Sequence, residues 1–100
     1  MTLRELAHSR TGDKGHLVNI SVIAYDEADY PRLVRLVTAE RIAERLTGLV
    51  TNVVRYELPS IGALNFVCSR GAGESVTRTL ALDAHGKSLS SAILDIEIDG

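Results

Sequence analysis

The spacing of apolar residues changes twice along the chain, and these changes limit the folds that the sequence can adopt. Over residues 17–25 apolar side chains alternate with polar ones, which is typical of a β-strand with one buried face. Over residues 33–49 they recur every three or four positions, the spacing of an amphipathic helix. Alternation returns over residues 53–58 and 63–69. The pattern therefore predicts a strand, a helical stretch and then a pair of strands.

The helical stretch has two phases, which predicts two short helices rather than one. Leu33, Leu36 and Val37 share one helical face, and a second apolar face begins after Thr38. Pro31 suits the first turn of the first helix, where the missing N–H would have no intrahelical partner. The Thr38 side chain can cap the second helix. We expect a joint near Thr38 and a second helix that runs to about residue 47.

Turn residues separate the remaining predicted elements. A proline and a glycine between residues 53–58 and 63–69 predict a hairpin that joins these two strands. A short strand is expected over residues 3–8 and another over residues 76–82. Residues 88–98 fit a helix near their start and a strand near their end, and the sequence leaves this choice open.

Two helices and about five strands predict an α+β fold, a two-layer sandwich whose mostly antiparallel sheet carries the helices on one face. Alternation places Val54, Tyr56 and Leu58 toward the helices. The opposite face is then half apolar, and such a face is often an oligomer contact or a binding surface, so we expect a homo-oligomer. Its expected residues are Asn19, Ser21, Tyr25, Arg55, Glu57, Asn65 and Ser69, together with Ile23, Val53 and Val67.

Charge and composition exclude several classes of protein. A net charge of −2 argues against nucleic-acid binding, which usually needs a basic face. No window approaches the roughly 18 apolar residues of a membrane span, and the N-terminus has no apolar signal core. The one cysteine, Cys68, allows no intramolecular disulfide and no thiolate metal cage. We expect a single soluble, cytoplasmic domain over residues 1–100 that binds neither nucleic acid nor a membrane.

Residues 8–16 form the most unusual segment, because they hold no large apolar side chain but contain two glycines and several ionisable groups. We predict a loop between two strands. A P-loop is excluded, since a strand follows the glycines and the spacing is wrong. The loop could bind a phosphate or carboxylate through cationic side chains and backbone N–H groups. The candidate ligand-binding residues are Ser9, Arg10, Thr11, Gly12, Asp13, Lys14 and Gly15, with Asn19 and Asn65 nearby.

Catalysis on this chain would need His8, Asp13 and Lys14 as acid–base groups, and these three are the catalytic candidates. The simpler alternative is a long solvated hairpin loop whose polar residues make turn hydrogen bonds. His16 and His85 are interpreted as turn or solvent-exposed residues, and no spacing supports a metal site. Cys68 shares an apolar face with Leu64 and Phe66 and is expected to be buried and unreactive.

Several segments together resemble the AtuA-like C-terminal domain family over nearly the whole chain. They are HSRTGDKG at residues 8–15, TAER at 38–41, RYELP at 55–59, GALNFV at 62–67, SVTR at 75–78 and LDAHGK at 82–87. The sequence departs from the family pattern at His16, where a small or acidic residue is more usual. The resemblance implies a ferredoxin-like fold and transfers no catalytic residue.

The resemblance also implies a function, because AtuA proteins are linked to acyclic terpene utilisation among genes that degrade acyl-CoA compounds. The chain would be a small accessory subunit or module that acts with a larger AtuA-type protein, without a cofactor. Residues 8–16 would recognise acyl-CoA or another anionic small molecule. Two alternatives remain open: a self-sufficient small enzyme that uses His8, Asp13 and Lys14, and an oligomeric binding module without catalysis.

Overall fold

A computed structural model describes residues 1–70 and 89–98, and for residues 13, 14 and 70 it describes the backbone alone. Strand β1 spans Ala7–Lys14, β2 spans Leu17–Ala24, β3 spans Val50–Leu58 and β4 spans Ala63–Arg70. The helices are α1 at Tyr30–Leu36, α2 at Ala39–Arg45 and α3 at Leu89–Leu94. Short 3₁₀ turns cover Leu3–Glu5, Glu27–Asp29 and Pro59–Ile61.

The strands form one antiparallel sheet in the order β1-β2-β4-β3. Strand β2, helices α1 and α2, the β3–β4 hairpin and helix α3 follow one another as β, α, β, β, α. Strand β1 occupies the position beside β2 that the last strand of a ferredoxin-like β-α-β-β-α-β unit would take. The predicted α+β ferredoxin-like fold is confirmed, with four strands in the described residues instead of about five. The strand predicted over residues 76–82 lies outside them.

The core lies between the sheet and the helices. The described helix-facing side chains of β2 and β4 are buried, apart from the partly buried Ala24, as their alternation predicted, and Cys68 is fully buried among them. Helices α1, α2 and α3 close this layer with buried apolar side chains. The cluster includes Val18, Ile20, Val22, Leu64, Phe66, Leu33, Ile42, Leu46, Leu89 and Ile93.

The two-helix prediction is confirmed. Helix α1 ends at Leu36, and Thr38 caps α2 by accepting a hydrogen bond from the Arg41 backbone N–H at 3.2 Å. Pro31 lies in the first turn of α1. Helix α2 ends at Arg45, somewhat before the predicted end near residue 47.

The N-terminal strand predicted over residues 3–8 is wrong in its first half. Leu3–Glu5 form a 3₁₀ turn, in which the Thr2 backbone N–H donates to Glu5 Oε2 at 2.9 Å. This local side-chain bond stabilises a turn where apolar alternation alone favoured a strand.

The polar segment at residues 8–16 is not a loop. Strand β1 continues through it to Lys14 in unbroken register with β2, and a two-residue turn at Gly15 and His16 joins the strands. Gly15 has a φ of 67°, which suits the first position of a tight hairpin turn. Side chains within the segment therefore alternate between the two faces of the sheet.

The predicted faces of β3 are reversed. Val54 and Tyr56 are 49% and 52% exposed, whereas Arg55 points toward the helices. Its guanidinium donates to the carbonyl oxygens of Val34 at 2.7 Å and Val37 at 3.1 Å, at the end of α1. The charged residue faces inward because these carbonyls lack helical partners and accept its hydrogen bonds.

Of the two possibilities left open for residues 88–98, the helix near their start is present, whereas no strand forms near their end in the described residues. Helix α3 covers Leu89–Leu94, and Glu97 then forms an isolated antiparallel bridge with Thr2. The predicted capping residue, Ser88, lies outside the described residues.

Candidate functional site: the open sheet face

The side of the sheet away from the helices is the candidate functional site, and we call it the open face. Within the described residues no helix or strand packs on it. Cross-strand register and alternation with the buried side chains define its members. They are His8, Arg10 and Gly12 of β1, Leu17, Asn19, Ser21 and Ile23 of β2, Asn52, Val54, Tyr56 and Leu58 of β3, and Ala63, Asn65, Val67 and Ser69 of β4.

A polar row crosses the middle of the open face. Arg10 is opposite Ser21, Ser21 is opposite Asn65, and Asn65 is opposite Tyr56. Asn65 Nδ2 donates to Asn19 Oδ1 at 3.5 Å, so the two predicted asparagines do lie together. Ser21 Oγ donates to the Arg10 main-chain carbonyl at 3.4 Å, so this bond does not use the Arg10 side chain.

The Arg10 guanidinium has no hydrogen-bond or ion-pair partner in the described part of the chain, and its side chain is exposed. Arg35, on α1, is the other described arginine without one. The other arginines whose side chains the structure describes donate to a main-chain carbonyl, a carboxylate or a thioether. They are Arg4, Arg32, Arg41, Arg45 and Arg55. No described residue therefore competes for the Arg10 guanidinium.

An aromatic pair lies at the β1–β2 edge of the open face. The rings of His8 and Tyr25 are stacked, with centroids 5.5 Å apart and planes inclined by 22°. Tyr25 follows β2 and is 64% exposed, so most of its ring surface is in contact with solvent. The sequence placed Tyr25 on this face but gave no reason to pair it with His8.

The β3 edge of the open face is apolar. Val54, Tyr56 and Leu58 project from β3, and Leu58 is 40% exposed. No open-face residue is Asp or Glu; the neighbouring Glu57 accepts from Arg55 at 3.2 Å on the other side of the strand. The open face therefore combines an apolar half with an arginine that no described acidic side chain neutralises.

Other predicted site residues lie on the helix side of β1. Ser9 pairs with Val22 and Thr11 pairs with Ile20, and these two β2 residues are buried on the helix side. The Thr11 hydroxyl hydrogen-bonds to Ser90 on α3, which ties this strand to the helix layer. The predicted ligand-binding segment is therefore divided between the open face and the helix side, where Thr11 contacts α3.

The three candidate acid–base residues are spread along one strand. His8 pairs with Ile23, Asp13 with Val18 and Lys14 with Leu17. At about 3.4 Å per residue, roughly 17 Å of strand separates the Cα atoms of His8 and Asp13. Proton transfer needs groups within hydrogen-bond reach, so this spacing weighs against a self-sufficient enzyme that uses these residues.

Among the described residues, neither the buried thiol nor the other charged groups form a competing site. Burial raises the pKa of the Cys68 thiol from 9.0 to about 11, which keeps it protonated at neutral pH. A cleft between α2 and the segment after α3 contains Arg41 and Arg45, and both donate to main-chain carbonyls. Among residues 1–70 and 89–98, no group of three His, Cys, Asp or Glu could hold a metal ion.

Comparison with known proteins gives one match. The family described as AtuA ferredoxin-like domain matches residues 1–99 of the chain. No curated protein and no solved structure matches it. None of the helices in the described residues has the length and hydrophobicity to cross a membrane.

Proposed function

The chain belongs to the AtuA ferredoxin-like domain family, and we propose that it is a small accessory subunit or module of a larger AtuA-type protein. In this proposal the open face binds the larger protein and recognises an anionic group on a shared ligand. The pathway would be the breakdown of terpene-derived acyl-CoA compounds, as the family resemblance implies. The chemistry would then belong to the assembled pair.

The apolar β3 edge of the open face, which no described helix or strand covers, carries this proposal. Val54, Tyr56 and Leu58 project side by side from β3 and are between 40% and 52% exposed. When a partner covers this surface, each Å² of apolar area removed from water stabilises the complex by about 25 cal/mol. Adjacent exposed apolar side chains with polar neighbours are typical of protein interfaces.

The position of Arg10 supports the anion-recognising part of the proposal. Arg10 lies on β1, at the opposite edge of the sheet from the apolar side chains of β3. A partner seated on the β3 edge would leave the Arg10 guanidinium accessible. A planar guanidinium offers paired N–H donors that match a phosphate or a carboxylate.

Binding to the larger AtuA-type protein tests the proposal. Isothermal titration should give a 1:1 complex, and Val54→Asp should weaken it at least about tenfold, because a carboxylate would be desolvated in the interface. Ala43→Asp is the matched control, since Ala43 is exposed on α2, away from the open face. Absence of binding, or equal loss in both variants, would overturn the proposal.

A second candidate function uses the same surface. The open face could pack against its counterpart on a second copy, giving an oligomeric binding module, because its polar row is flanked on both sides by apolar residues. Sedimentation of the chain alone distinguishes the two. A stable oligomer that Val54→Asp dissociates would favour self-association, and a monomer would rule it out.

A further inference from the structure

Strand β3 lies at an edge of the sheet, where its outer side has little main-chain pairing. It is the last strand in the sheet order, and β4 pairs with its inner side. On the outer side, the described residues make only an isolated bridge between Thr47 and Val50, at the start of the strand. Within the described part of the chain, the outward N–H and C=O groups of residues 51–58 are therefore open to another strand.

The side chains near the end of β3 are of two kinds. Val54, Tyr56 and Leu58 project onto the open face and are about half exposed. Arg55 and Glu57 project to the helix side, where Arg55 Nη2 and Glu57 Oε2 are 3.2 Å apart. The Glu57 side chain is also half exposed, so a group outside the chain can approach its carboxylate.

The charges on β3 limit how two copies of this strand could pair. In an antiparallel pair, opposite residues project from the same face, so a two-fold axis must pass through one residue of the strand. An axis at Arg55 or Glu57 would place like charges opposite each other, which is destabilising. An axis at Val54 would place Arg55 opposite Val53 and Glu57 opposite Thr51, without a charge pair.

An axis at Tyr56 makes the strand complementary to itself. Arg55 then lies opposite Glu57 of the second copy, and Val54 lies opposite Leu58. The two Tyr56 side chains are neighbours across the axis. Opposite residues have Cβ atoms about 4.5–5.5 Å apart, so the four charged groups of the two copies alternate in sign while apolar side chains contact apolar ones.

The same register also gives the paired segment natural ends. Pro59 follows β3, has no N–H to donate and begins a 3₁₀ turn. With the axis at Tyr56, Pro59 of each copy would lie opposite Val53 of the other, so regular pairing ends there on both sides. Because both copies use the same edge, the contact closes as a dimer.

We propose that residues 54–58 of β3 pair antiparallel with the same residues of a second copy, with the two-fold axis at Tyr56. The two sheets then join edge to edge, with the helices of both copies on one side and both open faces on the other. The apolar side chains of the two β3 strands become adjacent. The inference goes beyond the proposed function, and the joined open faces remain accessible to the larger AtuA-type protein.

Charge reversal at Glu57 tests the pairing. In sedimentation velocity, the unaltered chain should form a dimer whose fraction rises with concentration. Glu57→Lys places a lysine opposite Arg55 at both symmetric contacts, so it should raise the dissociation constant at least about tenfold. Glu44→Lys is the matched control, because it reverses an exposed acid on α2, and it should dimerise as the unaltered chain does. Circular dichroism checks that both variants retain the fold.

Amide hydrogen exchange identifies which edge is paired. Successive N–H groups of a strand point to opposite edges, so dimer formation should slow exchange at every second amide of residues 54–58. The alternate amides already donate toward β4 and should change little. Asn65→Asp alters the middle of the open face without altering the outer edge of β3, so the dimer should persist in this variant.

Three results would overturn the inference. The first is a chain that stays monomeric at every concentration, and the second is a dimer on which Glu57→Lys and Glu44→Lys have the same effect. The third is a dimer that Asn65→Asp dissociates and Glu57→Lys does not, which would show packing of one open face on another. Binding to the larger protein is measured separately by titration, so the proposed accessory function does not depend on these results.

Discussion

Arg55 on strand β3 donates a hydrogen bond to the main-chain carbonyl of Val34 on helix α1, over 2.7 Å. A second bond, 3.1 Å long, reaches the carbonyl of Val37 just after the helix. These contacts connect the edge strand to the helix layer and orient the strand. Because Arg55 faces inward, its neighbours Val54 and Tyr56 face outward and form the apolar edge of the open face.

Replacement of Arg55 by Met should lower the free energy of unfolding by about 2 kcal/mol, since two charge-assisted bonds to half-buried carbonyls are lost. Met retains most of the apolar stem, so the effect reports mainly on the guanidinium. Arg35→Met, at an exposed position on α1, should change stability by less than about 0.5 kcal/mol. Urea denaturation of both variants checks this, and equal stabilities would contradict the role given to Arg55.

The turn between β1 and β2 depends on the backbone conformation of Gly15. Its φ of 67° lies in the left-handed region, so Gly15→Ala should cost about 1–2 kcal/mol. Gly12→Ala is a sharp comparison, because Gly12 has no positive φ and an added Cβ would meet Asn19 Cβ at an ordinary 3.9 Å. Gly12→Ala should be tolerated within about 0.5 kcal/mol. Thermal unfolding of both variants tests whether β1 is a paired strand; equal sensitivity would favour a loop.

The buried thiol should make stability depend on pH in the alkaline range. The folded-state pKa of Cys68 is about 11, above its ordinary value of 9.0, so only the unfolded chain ionises readily between these values. Its contribution, about 2–3 kcal/mol, is fully present below pH 9 and is lost as the pH rises toward 11. Cys68→Ala should lack this loss. Urea unfolding between pH 8 and 11 compares the two, and parallel curves would show that Cys68 does not cause it.

The elements that were predictable from sequence have two clearly different faces. Strand β4 alternates Leu64, Phe66 and Cys68 with mostly polar positions, and β2 is similar. The joint between the helices was predictable because Thr38 caps α2 through a local bond. In these segments, local pattern and tertiary burial favour the same arrangement.

Two strands could not be predicted correctly, because residues distant in the sequence determine whether β1 forms and which side of β3 faces the helices. Strand β1 has the composition of a loop and becomes a strand through pairing with β2. In β3 both faces contain apolar residues. The face with Val54 and Tyr56 was predicted to be buried, but it is the exposed one. The carbonyls that accept from Arg55 belong to α1, so no local pattern could indicate them.

The structure assigns the predicted site residues to both faces of the sheet. Arg10, Asn19 and Asn65 were predicted and do lie on the open face, but Ser9 and Thr11 lie on the other side of β1. The stack of His8 and Tyr25 was missed, because it joins residues separated by the whole β1–β2 hairpin. A paired-strand interpretation of residues 8–16 would have indicated this proximity.

The proposed docking surface can be observed directly through side-chain amides. Asn19, Asn52 and Asn65 are the only asparagines in the chain, which has no glutamine, and all three lie on the open face. In an ¹⁵N–¹H correlation spectrum, their NH₂ signals therefore report on this surface alone. Addition of the larger AtuA-type protein should shift or broaden these signals, most strongly for Asn52 and Asn65 near the β3 edge. Unchanged NH₂ signals, with the backbone signals of α1 and α2 perturbed instead, would contradict binding through the open face.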